Sequence, residues 1–193
     1  MNRILLNPAE KSGGKPILDV IAQRRSCKAF TEEPLDIDQL STLLWAAFGI
    51  NSPDTGRRTT PSARNIQEVQ VFVILEAGAY LYDPQANQLE PVTPGDFRAL
   101  SAVQPDYQHT PLHLAYVADY SHLAVDDPMR VQLRNHSYSH AGFVGQNVYL
   151  YCASTGLGTC FVASFDETGL AKVLGLSTDQ HLLYTQVVGH PAE

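Results

Sequence analysis

Apolar residues recur at helical spacing in two early stretches of the chain. Ile17, Leu18, Ile21 and Ala22 give a short stripe behind Pro16, a residue tolerated in a first helical turn. After the break at Glu32, Glu33 and Pro34, the positions Ile37, Leu40, Leu43, Leu44, Ala47 and Phe48 repeat at three and four. Asp36 or Asp38 is placed to start that second helix and Gly49 to close it. Residues 51–65, rich in Pro, Gly, Ser, Thr and Arg, read as a loop too long for an idle connector. Residues 69–75 alternate and are β-branched, which predicts a strand, and 80–82 with 89–92 predict a hairpin across 83–88. A short helix is expected at 96–103 and a buried strand at 112–117. The longest helical pattern runs from about 127 to 155 and stops at Gly156. Beyond it come a buried strand or extended segment at 158–165, a helix at 170–174 and a last strand at 182–188. Helices and strands are segregated more than alternating, so the predicted class is α+β, with a mixed or antiparallel central sheet flanked by helices.

Within the long helix, residues 141–153 are apolar almost all round, and Gly142 and Gly145 permit close backbone approach. Such a surface must lie at the centre of a core or between subunits, which predicts a homodimer. Length agrees with a single domain over residues 16–193, preceded by an arm of residues 1–15. Hydrophobic residues make up 44% and charged residues 17%, as in a globular fold. The net charge of −7 argues against nucleic acid and against an anionic membrane surface as partners. No apolar run approaches the roughly 18 residues of a membrane helix. Three cysteines without CxxC spacing argue against a disulfide framework or zinc site and point to a reducing, cytoplasmic home. A chain trimmed of a signal segment would read the same.

The cations are unevenly placed. Arg24, Arg25 and Lys28 form one group and Arg57, Arg58 and Arg64 another, six of the thirteen in all. An acidic chain with its positive charge gathered in this way can focus potential on a small anionic ligand. In Arg24-Arg25-Ser26-Cys27-Lys28-Ala29-Phe30, guanidinium groups offer forks for phosphate oxygens and the ammonium a point charge. If the backbone is extended there, Arg24, Ser26 and Lys28 share one side. A solvated basic turn complementing a helix C-terminus is the plainer reading of the same residues. His136 and His140, four apart, have the minimum geometry for a metal pair without an evident third ligand, and Pro111 between His109 and His113 argues against a helix there. Cys160, Tyr149, Tyr151, Phe161 and Phe165 are read as packing groups.

Three stretches in order, Arg24 to Phe30, Pro61-Ser62-Ala63-Arg64-Asn65-Ile66-Gln67, and Gly145-Gln146-Asn147-Val148-Tyr149-Leu150 running into Gly156-Leu157-Gly158-Thr159-Cys160, resemble the nitroreductase-like flavoproteins. The likeness is greatest to the branch containing the dehydrogenases of thiazole and oxazole peptide biosynthesis. That resemblance implies an FMN-binding homodimer with two sites in the interface and the long helix at its centre. Carried over by position, Arg24, Arg25 and Ser26 belong to the phosphate and ribityl end, and Lys28 lies beside the pyrimidine edge. Asn65 then contacts the ring, with Gln67 close behind, and the backbone amides of Ala163 and Ser164 approach N5. Relatives often carry a C-terminal tail that supplies a further cation, and because the sequence reads only to Glu193, Arg57, Arg58 or Arg64 is expected to substitute. The implied reaction passes a hydride from NAD(P)H through FMN to a small planar acceptor such as a quinone or nitroaromatic. Dehydrogenation in the reverse sense fits equally, the alternative is a non-catalytic flavin-binding homodimer, and no Ser-His-acid set suggests a hydrolase.

Overall fold

The computed structural model describes residues 1–124 and 128–192. In chain order its elements are β1 (Ile4–Leu5), α1 (Ile17–Gln23), α2 (Ile37–Phe48), β2 (Ile50–Ser52), β3 (Arg57–Arg58), β4 (Val69–Leu75), β5 (Gly78–Asp83), β6 (Gln88–Pro94), α3 (Arg98–Ser101), β7 (Leu112–Asp119), α4 (Pro128–Thr155), β8 (Gly158–Val162), α5 (Glu167–Leu174) and β9 (Gln180–Gly189). Seven strands form one sheet in the order β1-β6-β5-β4-β7-β9-β8, and each of these pairings is antiparallel. The class is therefore α+β, and of the two expected sheet types the antiparallel one holds.

Alternation along the central strands sorts side chains to the two faces. Val71 and Val73 of β4, with Leu114 and Tyr116 of β7, pack against Leu43 and Leu44 of α2 and Val144 and Val148 of α4. Phe72 and Ile74, with Ala115 and Val117, meet Leu170 and Leu174 of α5 on the opposite face. β7 is buried over all but its last residue, the pattern of a strand covered on both sides. Residues 1–15 are tied in: β1 pairs with β6, and Leu6 joins the core.

The second helix starts as its sequence suggests. Asp36 accepts from Gln39 N–H at 2.7 Å while the Gln39 side chain accepts from Asp36 N–H at 3.1 Å, a reciprocal cap. Gly49 ends the helix in an extended conformation, packed on Trp45. α1 departs from expectation in its orientation. Only Val20 is buried, while Ile17, Leu18 and Ile21 are 54–75% exposed. Lys15 bonds the Gln23 side chain and the Ala153 carbonyl, and its backbone N–H bonds Ser154, so the approach to α4 is fixed at one end and the stripe faces outward.

Residues 51–65 are more ordered than a plain loop. Ser52 accepts from Thr55 and Gly56 N–H, Gly56 takes φ +65°, and the resulting turn joins the small ribbon β2–β3. α3 is shorter than expected because Asp96 grips Arg98 at its start and Val103 N–H leaves to bond Ser164. Likewise β8 ends at Val162, since the Ser164 carbonyl and Asp166 N–H are drawn to the α3 side.

α4 is only partly covered by its own chain. Gly145 does permit close approach, with the Phe161 ring where a Cβ would stand, while at Gly142 nothing among the described residues lies within 4 Å of that point. Tyr138 and Phe143 are 49% and 45% exposed, so the surface of α4 is not covered by its own chain. Asp127, at the expected start of this helix, lies outside the described residues. Among the described residues no helix is long and apolar enough to cross a membrane.

Candidate functional site

The basic segment leaves α1 at Arg24, whose φ of −49° and ψ of 123° begin an extended run. From there alternate side chains diverge. The Arg24 guanidinium lies over the Tyr149 ring, 5.1 Å from its centroid, and Ser26 Oγ is 2.8 Å from the Tyr149 hydroxyl. Cys27 points the other way, onto Gly158, with its N–H bonded to the Thr159 carbonyl at 2.9 Å. Arg25 donates Nη1 to the Ala22 and Arg24 carbonyls, so this cation serves the end of its own helix. Lys28 is exposed, and among the described residues neither it nor Arg24 makes an ion pair.

Tyr149 is the pivot that the sequence reading treated as packing. Its hydroxyl accepts the Phe161 N–H at 2.9 Å as well as meeting Ser26, which joins α4, β8 and the basic segment at one oxygen. The usable signal was a phenol in an otherwise apolar helical stretch, which needs a polar partner once buried. Gly158 completes the support. A Cβ there would stand 2.8 Å from Cys27 Sγ and 3.1 Å from the Phe30 ring. Gly158→Ala is accordingly expected to lose about 1–3 kcal/mol of stability by overpacking, readable as a lowered midpoint in urea.

The second group sits on a strained turn. Arg64, Asn65 and Gln67 have φ of 54°, 57° and 55°, a left-handed conformation costing about 1–2 kcal/mol for each such residue. Side chains hold it in place. Gln67 N–H donates to Ser62 Oγ at 3.0 Å, Gln67 Nε2 donates to Asn65 Oδ1 at 3.0 Å and to the Gly56 carbonyl, and Arg58 Nε donates to Gln67 Oε1 at 3.0 Å. Gln67 thus braces Asn65 through its side chain. Arg58, half-buried over the Phe48 ring, is committed to this turn, whereas Arg57 and Arg64 are exposed. Ala63 N–H donates to His140 Nε2 at 3.0 Å, which docks the turn on α4. His140 is therefore turned inward.

Ala163 and Ser164, the third group, are exposed just beyond β8, two and three residues after Phe161. β8 thus runs from Tyr149, which meets the first group at Ser26, toward the third group. Asn65 is not with them. Its turn docks at His140, nine residues from Tyr149, which is about 13 Å along the helix axis and roughly half a turn around it. One chain therefore presents the basic segment and the Asn65 turn on opposite faces of α4.

Comparison with known proteins agrees with this architecture. Residues 21–190 match the Nitroreductase family. A candidate nitroreductase from Methanocaldococcus jannaschii is 30% identical over 188 residues, covering 91% of each chain. The crystal structure of a candidate nitroreductase from Ralstonia eutropha is 33% identical with a TM-score of 0.88, over 99% of this chain and 90% of that one. A chain of the Escherichia coli microcin synthetase complex shares the fold at 20% identity and a TM-score of 0.75, over 98% of this chain and 78% of that one. An antiparallel sheet layered with helices defines an α+β fold, and the family match makes the class that of an oxidoreductase. The chain belongs to the nitroreductase family, whose members generally bind FMN and are typically homodimers.

Proposed function

We propose that this chain is an FMN-dependent oxidoreductase working as a homodimer, with each site assembled from the basic segment of one subunit and Asn65 of the partner subunit. The observation that carries this reading is the placement of those two groups on opposite faces of one helix. Groups held apart in this way meet readily across a two-fold axis. Ile17, Leu18, Ile21, Tyr138 and Phe143 supply exposed apolar surface for such an interface.

The donor set suits FMN. A phosphate needs cations not already neutralised, and Arg24 and Lys28 lack acidic partners among the described residues, with the Ser26 hydroxyl between them. Arg24 and Ser26 would hold the phosphate and ribityl end, and Lys28 would offset negative charge at the pyrimidine edge. The N–H groups of Ala163 and Ser164 would orient the reacting edge of the ring, and the Asn65 amide would hydrogen-bond its other side. Bound FMN supplies hydride acceptance and donation, chemistry that none of these side chains performs. NAD(P)H is the proposed donor and a small planar molecule the acceptor. The resemblance to azole-forming dehydrogenases supports the reverse sense, in which the substrate reduces the flavin and oxygen takes the electrons.

Absorption spectra after FMN addition test the reading. Expected are a yellow dimer in sedimentation and bleaching of the flavin band under anaerobic NADH or NADPH. Yellow protein that neither nicotinamide bleaches would favour the reverse reaction or a binder without turnover. A monomer that fails to retain FMN would overturn the proposal.

A further inference from the structure

Beneath the Asn65 turn lies a buried polar relay that the cofactor chemistry does not use. Glu68, in the residue before β4, has a fully buried side chain. Its Oε1 is 2.6 Å from His140 Nδ1 and accepts from Ser137 Oγ at 2.8 Å, and Tyr120 donates its hydroxyl to Ser137 Oγ at 2.9 Å. Oε2 has no partner. On the far side of the imidazole, Nε2 faces the Ala63 N–H at 3.0 Å. An N–H can donate only to a nitrogen bearing a lone pair, so Nε2 is unprotonated and the ring proton sits on Nδ1, where the carboxylate accepts it. Two of the next three residues after Ala63, and Gln67 beyond them, stay at positive φ only while the turn is anchored. Ala63 is that anchor at one end, and Gln67 N–H on Ser62 Oγ closes the other.

We propose that His140 is a positioning residue for the cofactor turn: Glu68 fixes its proton on Nδ1, which leaves Nε2 to accept Ala63 N–H and hold Asn65 in its left-handed presentation. This rests on the reading that Asn65 faces the flavin. α4 makes a rigid platform for the device, because the same helix carries Tyr149 under the basic segment. One helix thereby sets both halves of the site, each on a different face.

Two substitutions separate the jobs of the ring. His140→Gln places an oxygen near the position of Nε2 and loses the donor to Glu68, whereas His140→Asn keeps a donor near Nδ1 and loses the acceptor for Ala63. The ring tautomer of the wild-type protein is read from its imidazole nitrogen-15 shifts, and the anchor from amide hydrogen exchange at Ala63 without cofactor. A proton on Nδ1 is expected, together with Ala63 exchange at least about tenfold faster in His140→Asn than in His140→Gln. FMN affinity should follow the same order. A proton on Nε2, equal exchange in the two variants, or better protection in His140→Asn would overturn the proposal; the last is the result if His140 serves only to satisfy the buried carboxylate. Should neither variant fold, the wild-type tautomer still decides. If exchange follows the expected order while FMN affinity is the same in all three proteins, the positioning of the turn stands and the assignment of Asn65 to the flavin falls.

Discussion

Replacing Arg24 and Lys28 together by alanine is expected to raise the FMN dissociation constant by about two orders of magnitude. Each would lose a charge-assisted contact worth about 1.5–3 kcal/mol, a tenfold or larger effect apiece. Stability should change little by comparison. Lys28 is exposed and without an ion pair among the described residues, and Arg24 gives up only its stack on Tyr149, about 0.5–1 kcal/mol at a partly exposed site. Arg25→Ala is the matched control. Its guanidinium is already spent on the Ala22 and Arg24 carbonyls, so the same charge removed one residue away should weaken FMN binding far less. Fluorescence titration of the three proteins against FMN reads the difference. The basic segment loses its assigned role if the double variant binds within threefold of the parent, or if Arg25→Ala matches its loss.

That contrast between neighbouring arginines marks the boundary of what the sequence made legible. Local chemistry could be read directly: Asp36 was one of two residues placed to start α2, the β-branched alternation at 69–75 announced a strand, and the apolar run at 112–117 announced a buried one. What depended on a distant partner could not. α1 has a proper helical stripe, yet Lys15 ties its start to α4 and turns that stripe outward. Gly142 and Gly145 look alike in sequence, and only the second meets a ring from β8. β3 is two residues long, too short for alternation to register. The site divides along the same line. Its motifs were visible as residue types at fixed spacing, but His140 and Glu68 are separated by 72 residues and nothing local links them. Asn65 and Arg24 were expected to converge in an interface between two subunits, and within one chain they stand on opposite faces of α4.

Acid should destabilise the fold through a histidine that takes no part in the proposed site. His113, on β7, is completely buried, with Nδ1 against Ser101 Oγ and Nε2 without a partner among the described residues. Burial, reinforced by the nearby Arg98 guanidinium, pushes its pKa down to about 3. The unfolded value lies near 6.5. Between those limits the unfolded chain binds a proton that the folded chain refuses, so acid favours unfolding. The stabilising contribution is complete above pH 6.5 and declines by about 1.4 kcal/mol per pH unit until about pH 3. His113→Asn removes the titration while leaving an oxygen to face Ser101. Other groups, including His181, which burial also holds low, titrate in both proteins and cancel in the comparison. Urea unfolding between pH 7.5 and 4.5 should therefore show the wild type losing about 2.5 kcal/mol more than His113→Asn, whatever their stabilities at neutral pH. Parallel stability curves for the two proteins would mean that water or a rearranged Arg98 reaches His113 on acidification, and that the folded ring is free to accept its proton.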